Sequence, residues 1–180
     1  AKNAQIHLLN RELSHRVKNN LQFVSSLLEM QGRRAGSEDA RAALQESENR
    51  LQAMALLHRR LYQQEEGATT VELGSYLEEL CGYLQSTYPA EGPPPEIHTE
   101  IEPIQADAEQ AGRLGLIVNE LLTNCLKHGF PDGRTGTVSI CFRRLPDGRR
   151  ELSVADDGVG MLEKQGWDSP GSLGLRLVRD

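Results

Sequence analysis

The sequence has few cysteines and no long apolar run, and each absence excludes a class of protein. The three cysteines among its 180 residues, Cys81, Cys125 and Cys141, lie far apart and match no metal-ligand spacing. They argue against a disulfide-stapled secreted domain or a zinc site and favour a reducing, cytoplasmic compartment. No stretch approaches the ~20 apolar residues that span a bilayer, and residues 1–20 lack a signal pattern, so no membrane contact is expected.

The sequence also lacks an excess of basic residues. Twenty lysines and arginines stand against 26 acidic residues, and the net charge is −6. A cationic surface that would attract a nucleic-acid backbone is therefore not expected. The length suffices for one ordinary domain or two small ones.

The N-terminal third has the apolar periodicity of two long helices. The first stripe consists of Ile6, Leu9, Leu13, Val17, Leu21, Val24 and Leu28. This helix stops near Gly32, and Ser37 is a good N-cap for a second helix that continues to Tyr62. Two such helices cannot cover both apolar stripes, so residues 1–66 are expected to form an antiparallel helical hairpin that dimerises into a four-helix bundle. The chain already has a helical pattern at Ala1, so this helix is expected to continue upstream.

Residues 67–180 have the pattern of a separate α/β domain. Thr70 is expected to cap a helix that ends before Pro89, and Asp107 to cap a helix through Cys125. Alternating apolar residues predict a strand at 97–101 and two strands joined by the turn at Pro146-Asp147-Gly148. We therefore expect an α+β protein in which a mixed sheet has its helices on one side.

Three local patterns carry possible chemistry. His15 lies ~170° from the apolar stripe of its helix and is expected to be exposed, although such a histidine is often incidental. Glu120, Asn124 and Lys127 line up at i, i+4 and i+7, where hard oxygen ligands for magnesium stand beside a cation for phosphate, with His128 adjacent. Taken alone, this stripe is more often a solvated helix flank.

The third pattern is a D-x-G-x-G motif at a strand end. Asp156 can accept a hydrogen bond from an exocyclic amine such as that of adenine, and Gly158 and Gly160 let the backbone approach a flat ligand. Gly171 and Gly174 precede a further apolar run and can admit phosphates at a helix start. Each feature is weak in isolation.

The helix stripe, the D-x-G-x-G motif at the strand end and the glycine-rich helix start, together and in this order, resemble the GHKL (Bergerat) nucleotide-binding fold of gyrase, the heat-shock chaperone and histidine kinases. No P-loop motif occurs. The segment Ser14-His15-Arg16-Val17-Lys18-Asn19-Asn20-Leu21-Gln22 resembles the phosphoacceptor box of the sensor histidine kinases marked by H-R-x-K-N-N. The segment from Asn119 to Pro131 resembles the N box of that subfamily, and the resemblance covers essentially the whole chain.

The resemblance implies a role for each of these residues. His15 is the implied phosphoacceptor, Asn124 holds Mg²⁺ with Glu120 alongside, and Lys127 and His128 touch phosphate oxygens of ATP. Asp156 reads the adenine amine, and the pocket is shaped by Gly158, Gly160, Gly171 and Gly174, with residues 161–170 as the lid. Asn19 is expected to position water when a receiver is dephosphorylated. The implied partners are a second copy of the chain and the receiver domain of a response regulator.

Two departures from the family pattern bear on this reading. Many histidine kinases have an acidic residue after the phosphoacceptor, where this chain has Arg16, so Glu12 is the hypothetical substitute that orients His15. Asp180 follows Gly174 by six residues, so the nucleotide domain is expected to be truncated, and the sensor domain is expected upstream of this chain. The alternatives are a histidine phosphotransfer protein with a degenerate ATP domain, a GHKL ATPase or serine kinase, and a dimeric scaffold.

Overall fold

The N-terminal part of the chain is an antiparallel pair of long helices. The computed structural model describes residues 2–63, 70–88 and 92–160. Helix α1 spans Lys2–Arg34 and helix α2 spans Glu38–Gln63. The hydroxyl of Ser37 accepts a hydrogen bond from the amide of Ala40 at 3.2 Å, which confirms the predicted N-cap of α2.

A short ribbon precedes the third helix and corrects one prediction. Strand β1 (Thr70–Glu72) pairs antiparallel with β3 (Gln105–Asp107), and α3 spans Leu73–Thr87. The carboxylate of Glu72 accepts from the amides of Gly74 and Ser75 at 2.6 and 2.8 Å. The prediction that Thr70 caps this helix is wrong, because Thr70 lies in the ribbon opposite Asp107 and the cap is Glu72.

The main sheet has three strands in the order β2-β4-β5. Strand β2 (Glu96–Ile101) runs parallel to β4 (Thr137–Arg144), which pairs antiparallel with β5 (Arg150–Asp156). The turn between β4 and β5 contains Gly148 at φ +85°, a conformation that favours glycine. The predicted mixed sheet and the α+β class are therefore confirmed.

Helix α4 carries the candidate stripe and changes its winding at the end. It spans Ala108–Asn124, and the carboxylate of Asp107 caps it by accepting from the amide of Gln110 at 2.8 Å, as predicted. A π-helical turn, Cys125–Gly129, and a 3-10 turn, Pro131–Gly133, follow directly. The wider π-helical turn changes the direction of Lys127 and His128 relative to a straight α-helix.

The core continues from the hairpin into the α/β layer. Ala53, Leu56 and Leu57 of α2 are buried in the same cluster as the apolar residues of α3, α4 and β4. The hydroxyl of Tyr76 in α3 donates to the carbonyl of Ala53 at 3.1 Å. Helix α2 is therefore a packed layer of both halves, and the expected domain boundary at residues 66 and 67 lies outside the described residues.

Two further properties concern the described ranges only. None of the helices in them is both long enough and apolar enough to cross a bilayer. The three cysteines are free thiols, of which Cys81 is buried and the other two are partly buried.

Candidate functional site

The predicted phosphoacceptor is exposed on α1, as its helical angle indicated. The side chain of Arg16 donates to the carboxylate of Glu12 at 2.6 Å. Glu12, which was expected to orient His15, is therefore paired with Arg16. Both partners are more than half exposed, and a pair of this kind contributes little stability. Asn19, one turn beyond His15, is also exposed.

Glu120 on α4 is a buried carboxylate that has a counter-ion from the hairpin. It is 7% exposed, and Nε of Arg50 in α2 donates to its Oε1 at 2.5 Å. The hydrogen bond from Arg50 to Glu120 holds the guanidinium pKa above its usual value, against the opposing effect of burial. The buried charge of Glu120 is thus balanced by a residue outside the predicted motif.

Lys127 is also held by the hairpin. Its ammonium lies 2.8 Å from Oε1 of Glu46 in α2 and 5.4 Å from the centre of the Tyr88 ring. The side chain of Lys127 is only 19% exposed, whereas His128 beside it is exposed. Asn124, at the end of α4, is partly buried. The stripe therefore combines one buried carboxylate, one amide and two nitrogen groups that can contact phosphate.

The carboxylate of Asp156, at the end of β5, accepts two hydrogen bonds within the protein. Its Oδ1 accepts from the amide of Gly158 at 3.0 Å, and its Oδ2 accepts from the thiol of Cys125 at 3.4 Å. Burial and the neighbouring Asp156 charge raise the pKa of Cys125 to about 12, so the thiol stays protonated and remains a donor. The aspartate is otherwise exposed, with lone pairs left for a ligand.

The two predicted motifs of this half meet through the backbone. The amide of Val159 donates to the carbonyl of Gly129 at 2.9 Å. A Cβ on Gly158 would lie 2.3 Å from that carbonyl oxygen, so only glycine allows this approach. Gly160 has φ +72°, which also favours glycine. Gly171, Gly174 and the expected lid at 161–170 lie outside the described residues.

Two family models match consecutive parts of this chain. A model described as "Histidine kinase" matches residues 12–88, and one described as "Histidine kinase-like ATPase domain" matches residues 96–180. The chain belongs to the histidine kinase family. The first match contains His15, and the second contains the stripe on α4 and the D-x-G-x-G motif.

Named relatives agree with this assignment. The chain is 30% identical over 171 residues to Blue-light-activated histidine kinase 2 of Erythrobacter litoralis and 33% identical over 172 residues to Sensor histidine kinase PdtaS of Mycobacterium tuberculosis. These alignments cover 93% and 94% of this chain but 48% and 33% of the relatives. The chain thus spans half or less of the length of these curated relatives.

A solved structure extends the similarity to the whole chain. The histidine kinase domain of the E. litoralis EL346 blue-light activated histidine kinase superposes with a TM-score of 0.67 at 27% identity. The superposition covers 98% of this chain and 82% of that domain. The arrangement of a helical hairpin followed by an α/β layer is therefore shared with this kinase domain.

Sequence reasoning missed the residues of α2 that contact the stripe. Glu46 and Arg50 were not candidates, because opposite charges one turn apart look like an ordinary helix-surface pair. Asn49, fully buried between them, donates to the hydroxyl of Tyr88 at 2.6 Å. A buried asparagine at that position is visible only once α2 is known to pack against α3.

Proposed function

We propose that this chain is the catalytic core of a two-component sensor histidine kinase. It transfers the γ-phosphoryl group of ATP to His15 and then to an aspartate of a response regulator. The observation that carries this proposal is that the D-x-G-x-G motif, with Asp156 and Gly158, is hydrogen-bonded to Gly129 directly after the α4 stripe. The same chain exposes His15 in a segment that resembles a phosphoacceptor box. The matches to a histidine kinase model and to a kinase-like ATPase model support it.

In this proposal the nucleotide lies between the stripe and the end of β5. Asp156 accepts from the adenine amine, which fits a carboxylate whose two oxygens are fixed by Gly158 and Cys125 and which is open to solvent. Lys127 and His128 contact phosphate oxygens. Gly158, Gly160, Gly171 and Gly174 shape the pocket.

The donor set on α4 fits magnesium. Asn124 offers an amide oxygen and Glu120 a carboxylate on one helix face, and both are hard ligands of the kind that Mg²⁺ takes together with phosphates. When bound, Mg²⁺ neutralises charge on the phosphates. Glu120 is buried and paired with Arg50, which supplies a counter-charge in a setting where an unpaired charge is costly.

The chemistry at His15 is an in-line displacement. An imidazole nitrogen of His15 forms the new N–P bond, the bond between the γ-phosphorus and the β,γ-bridging oxygen breaks, and ADP leaves. A carboxylate of the receiver then takes the phosphoryl group and regenerates the imidazole. Glu12 orients His15 in this proposal, after exchanging Arg16 for the imidazole, and Asn19 positions water for receiver dephosphorylation.

The hairpin is also proposed to form a homodimer. Apolar side chains are exposed on it, most of them on α1: Phe23 (69%), Val24 (41%), Leu27 (41%), Met30 (55%) and, on α2, Met54 (48%). Removing apolar side chains of this size from water stabilises the state in which they are buried. A second copy of the hairpin would bury them in a four-helix bundle.

The proposal is tested by incubating the purified protein with γ-labelled ATP and magnesium. The native protein is expected to acquire acid-labile, alkali-stable label, because a P–N bond such as that of phosphohistidine has this stability pattern. His15→Gln is expected to abolish the label, because His15 is the proposed acceptor. His98→Gln is the matched control, since His98 is likewise exposed but lies on β2 beside Glu96. This control is expected to keep the label.

Label that persists in His15→Gln would overturn the assignment of the phosphoacceptor. If the native protein binds ATP but acquires no label, the kinase proposal fails in favour of a phosphotransfer protein or a GHKL ATPase. A phosphorylated receiver offered as donor then distinguishes these two, because only a phosphotransfer protein takes label on His15.

A further inference from the structure

Two charged residues of the hairpin form ion pairs with the two charged residues of the α4 stripe, Glu120 and Lys127. Glu46 and Arg50 lie one turn apart on α2, which places them on the same face of the helix. The carboxylate of Glu46 is 2.8 Å from the ammonium of Lys127, and the guanidinium of Arg50 is 2.5 Å from the carboxylate of Glu120. Together we call Glu46 and Arg50 the α2 clasp.

The charges of the α2 clasp are those of a magnesium phosphate. Lys127 is proposed to contact a phosphate oxygen, and in the structure a carboxylate oxygen lies against it instead. Glu120 is proposed to lie beside Mg²⁺, and in the structure a cationic guanidinium lies against it. Glu46 is thus negative, like the phosphate that Lys127 is proposed to bind. Arg50 is positive, like the Mg²⁺ beside which Glu120 is proposed to lie.

We propose that the α2 clasp is an autoinhibitory contact in which Glu46 and Arg50 compete with Mg-nucleotide for Lys127 and Glu120. This inference rests on the proposed function, because it assigns those two residues to nucleotide binding. A ligand that pairs with Lys127 and Glu120 therefore competes with the clasp for the same two side chains. The apparent nucleotide affinity is then reduced in proportion to the fraction of molecules in which the clasp is closed, because only molecules with an open clasp bind the nucleotide.

The surroundings of the clasp favour the closed arrangement. Asn49, between the two residues, is fully buried and donates to the hydroxyl of Tyr88, and Gln45 donates to Oδ1 of Asn49 at 3.3 Å. The bond from Asn49 to Tyr88 joins α2 to the end of α3 and favours the rotation of α2 in which Glu46 and Arg50 face α4, while the bond from Gln45 holds the Asn49 amide within α2. The Tyr88 ring is itself in contact with Lys127, which places the network next to the proposed phosphate contact.

The clasp can open without leaving two isolated charges. Glu46 precedes Arg50 by four residues, which is the favourable order for an ion pair on a helix surface. Once Lys127 and Glu120 bind a nucleotide, Glu46 and Arg50 can pair with each other. The exchange therefore replaces two ion pairs between helices by one pair within α2, and the packing of Ala53, Leu56 and Leu57 is left intact.

The closed arrangement also holds the stripe away from His15 along the hairpin. The hydroxyl of Ser25 in α1 donates to Glu48 in α2, so these two residues lie level with each other. By this antiparallel register the clasp is level with residues 23–27 of α1. His15 is eight to twelve residues away, or roughly 12–18 Å at ~1.5 Å per residue. The clasp thus joins the stripe to a part of the bundle distant from the phosphoacceptor.

The test measures how tightly a non-hydrolysable ATP analogue with magnesium binds, by titration calorimetry. Glu46→Gln and Arg50→Gln are each expected to tighten binding about three- to tenfold, because either change weakens the closed state. Glu46→Gln is the primary variant, since its side chain is 39% exposed and its loss leaves no buried acid unpaired.

Arg60→Gln is the matched control. Arg60 also lies on α2 and forms an ion pair across helices, with Glu79 of α3 at 2.8 Å, but it contacts neither Lys127 nor Glu120. It is expected to leave the analogue affinity unchanged. A second readout is hydrogen exchange of the amides at 44–52, which the analogue is expected to speed up in the native protein and to affect less in Glu46→Gln.

The outcomes separate this inference from the proposed function. If the native protein binds the analogue and Glu46→Gln binds it equally tightly, the clasp is only a structural contact and the inference is wrong. If Glu46→Gln weakens binding as Lys127→Gln does, Glu46 is part of the site and the inference is again wrong. If neither the native protein nor any variant binds the analogue, the proposed function fails, and the inference fails with it.

Discussion

At the scale of the residue, the junction between the stripe and the end of β5 depends on one missing side chain. We expect Gly158→Ala to lower the free energy of unfolding by about 1–3 kcal/mol, since its Cβ would lie 2.3 Å from the carbonyl oxygen of Gly129 and 2.7 Å from Oδ1 of Asp156. The same clash displaces Asp156, so nucleotide binding is expected to be lost. Denaturant titration and calorimetry measure the two effects.

The control for this substitution is a glycine that has no close neighbour. Gly82 lies inside α3, and among the described residues no atom other than those of its chain neighbours and the adjacent backbone of α3 is within 4 Å of the position of its Cβ. Gly82→Ala should raise the free energy of unfolding by up to ~1 kcal/mol, because alanine is the better helix former. Equal effects of the two substitutions would show that the contact between Gly158 and Gly129 is not needed for binding.

At the scale of the element, α3 begins on a carboxylate whose charge matters. Burial acts to raise the pKa of Glu72, but the amides of Ser75 and Gly74, helped by the charge of Arg60, outweigh it and hold the pKa below its usual value. The ionised form is therefore favoured in the folded state. Its stabilising effect is present above the usual pKa of a glutamate and is lost as the pH falls through the lower, folded-state pKa.

Glu72→Gln tests this cap. At pH 7 we expect it to lower the free energy of unfolding by about 0.5–2 kcal/mol, and the difference from the native protein should shrink at an acid pH below the usual pKa of a glutamate. Thr70→Ala, at the exposed start of β1, is expected to have little effect at either pH. Denaturant titrations at the two pH values decide the matter, and a pH-independent loss in Glu72→Gln would contradict a charged cap.

The elements that local patterns encode could be predicted, and those that depend on pairing at a distance could not. Ser37 and Asp107 cap their helices as expected, because a short polar side chain before an apolar period acts on its own amides. The ribbon of β1 and β3 was missed since three residues are too few to show alternation. The π-helical turn after Asn124 was likewise hidden, because the sequence pattern there is that of a continuing α-helix.

The candidate site shows the same division. The exposure of His15 could be predicted from its angle on one helix. The motifs that contain Asn124 and Asp156 could be recognised because they occur in the same order as in a known family. The contacts of Glu46 and Arg50 with the stripe depend on how α2 packs against α4, which no periodicity encodes. The sequence thus predicts the residues that are proposed to bind a nucleotide, whereas the ion pairs of Lys127 and Glu120 with α2 are seen only in the fold.

At the scale of the whole molecule, the hairpin and the α/β layer share one core. The buried face of α2 contains Ala53, Leu56 and Leu57, and the Cβ position of Gly112 on α4 is 3.4 Å from Cδ2 of Leu57. A core that is continuous between two layers is expected to unfold in one transition. Any larger movement that brings a bound nucleotide to His15 within one chain must break this packing.

Leu57→Ala tests this coupling. Leu57 is 8% exposed, and truncating a buried leucine costs about 2–5 kcal/mol. Because Leu57 joins α2 to α4, the helical circular dichroism and the hydrogen-exchange protection of the β4 amides should be lost together and at lower denaturant. Ser47→Ala, on an exposed position of α2 where the hydroxyl donates to the carbonyl of Ala43 in the same helix at 2.9 Å, should change stability by less than ~0.5 kcal/mol. If β4 keeps its protection while the hairpin unfolds, the two layers are independent, and the nucleotide domain is then free to leave α2 without the cost that the shared core imposes.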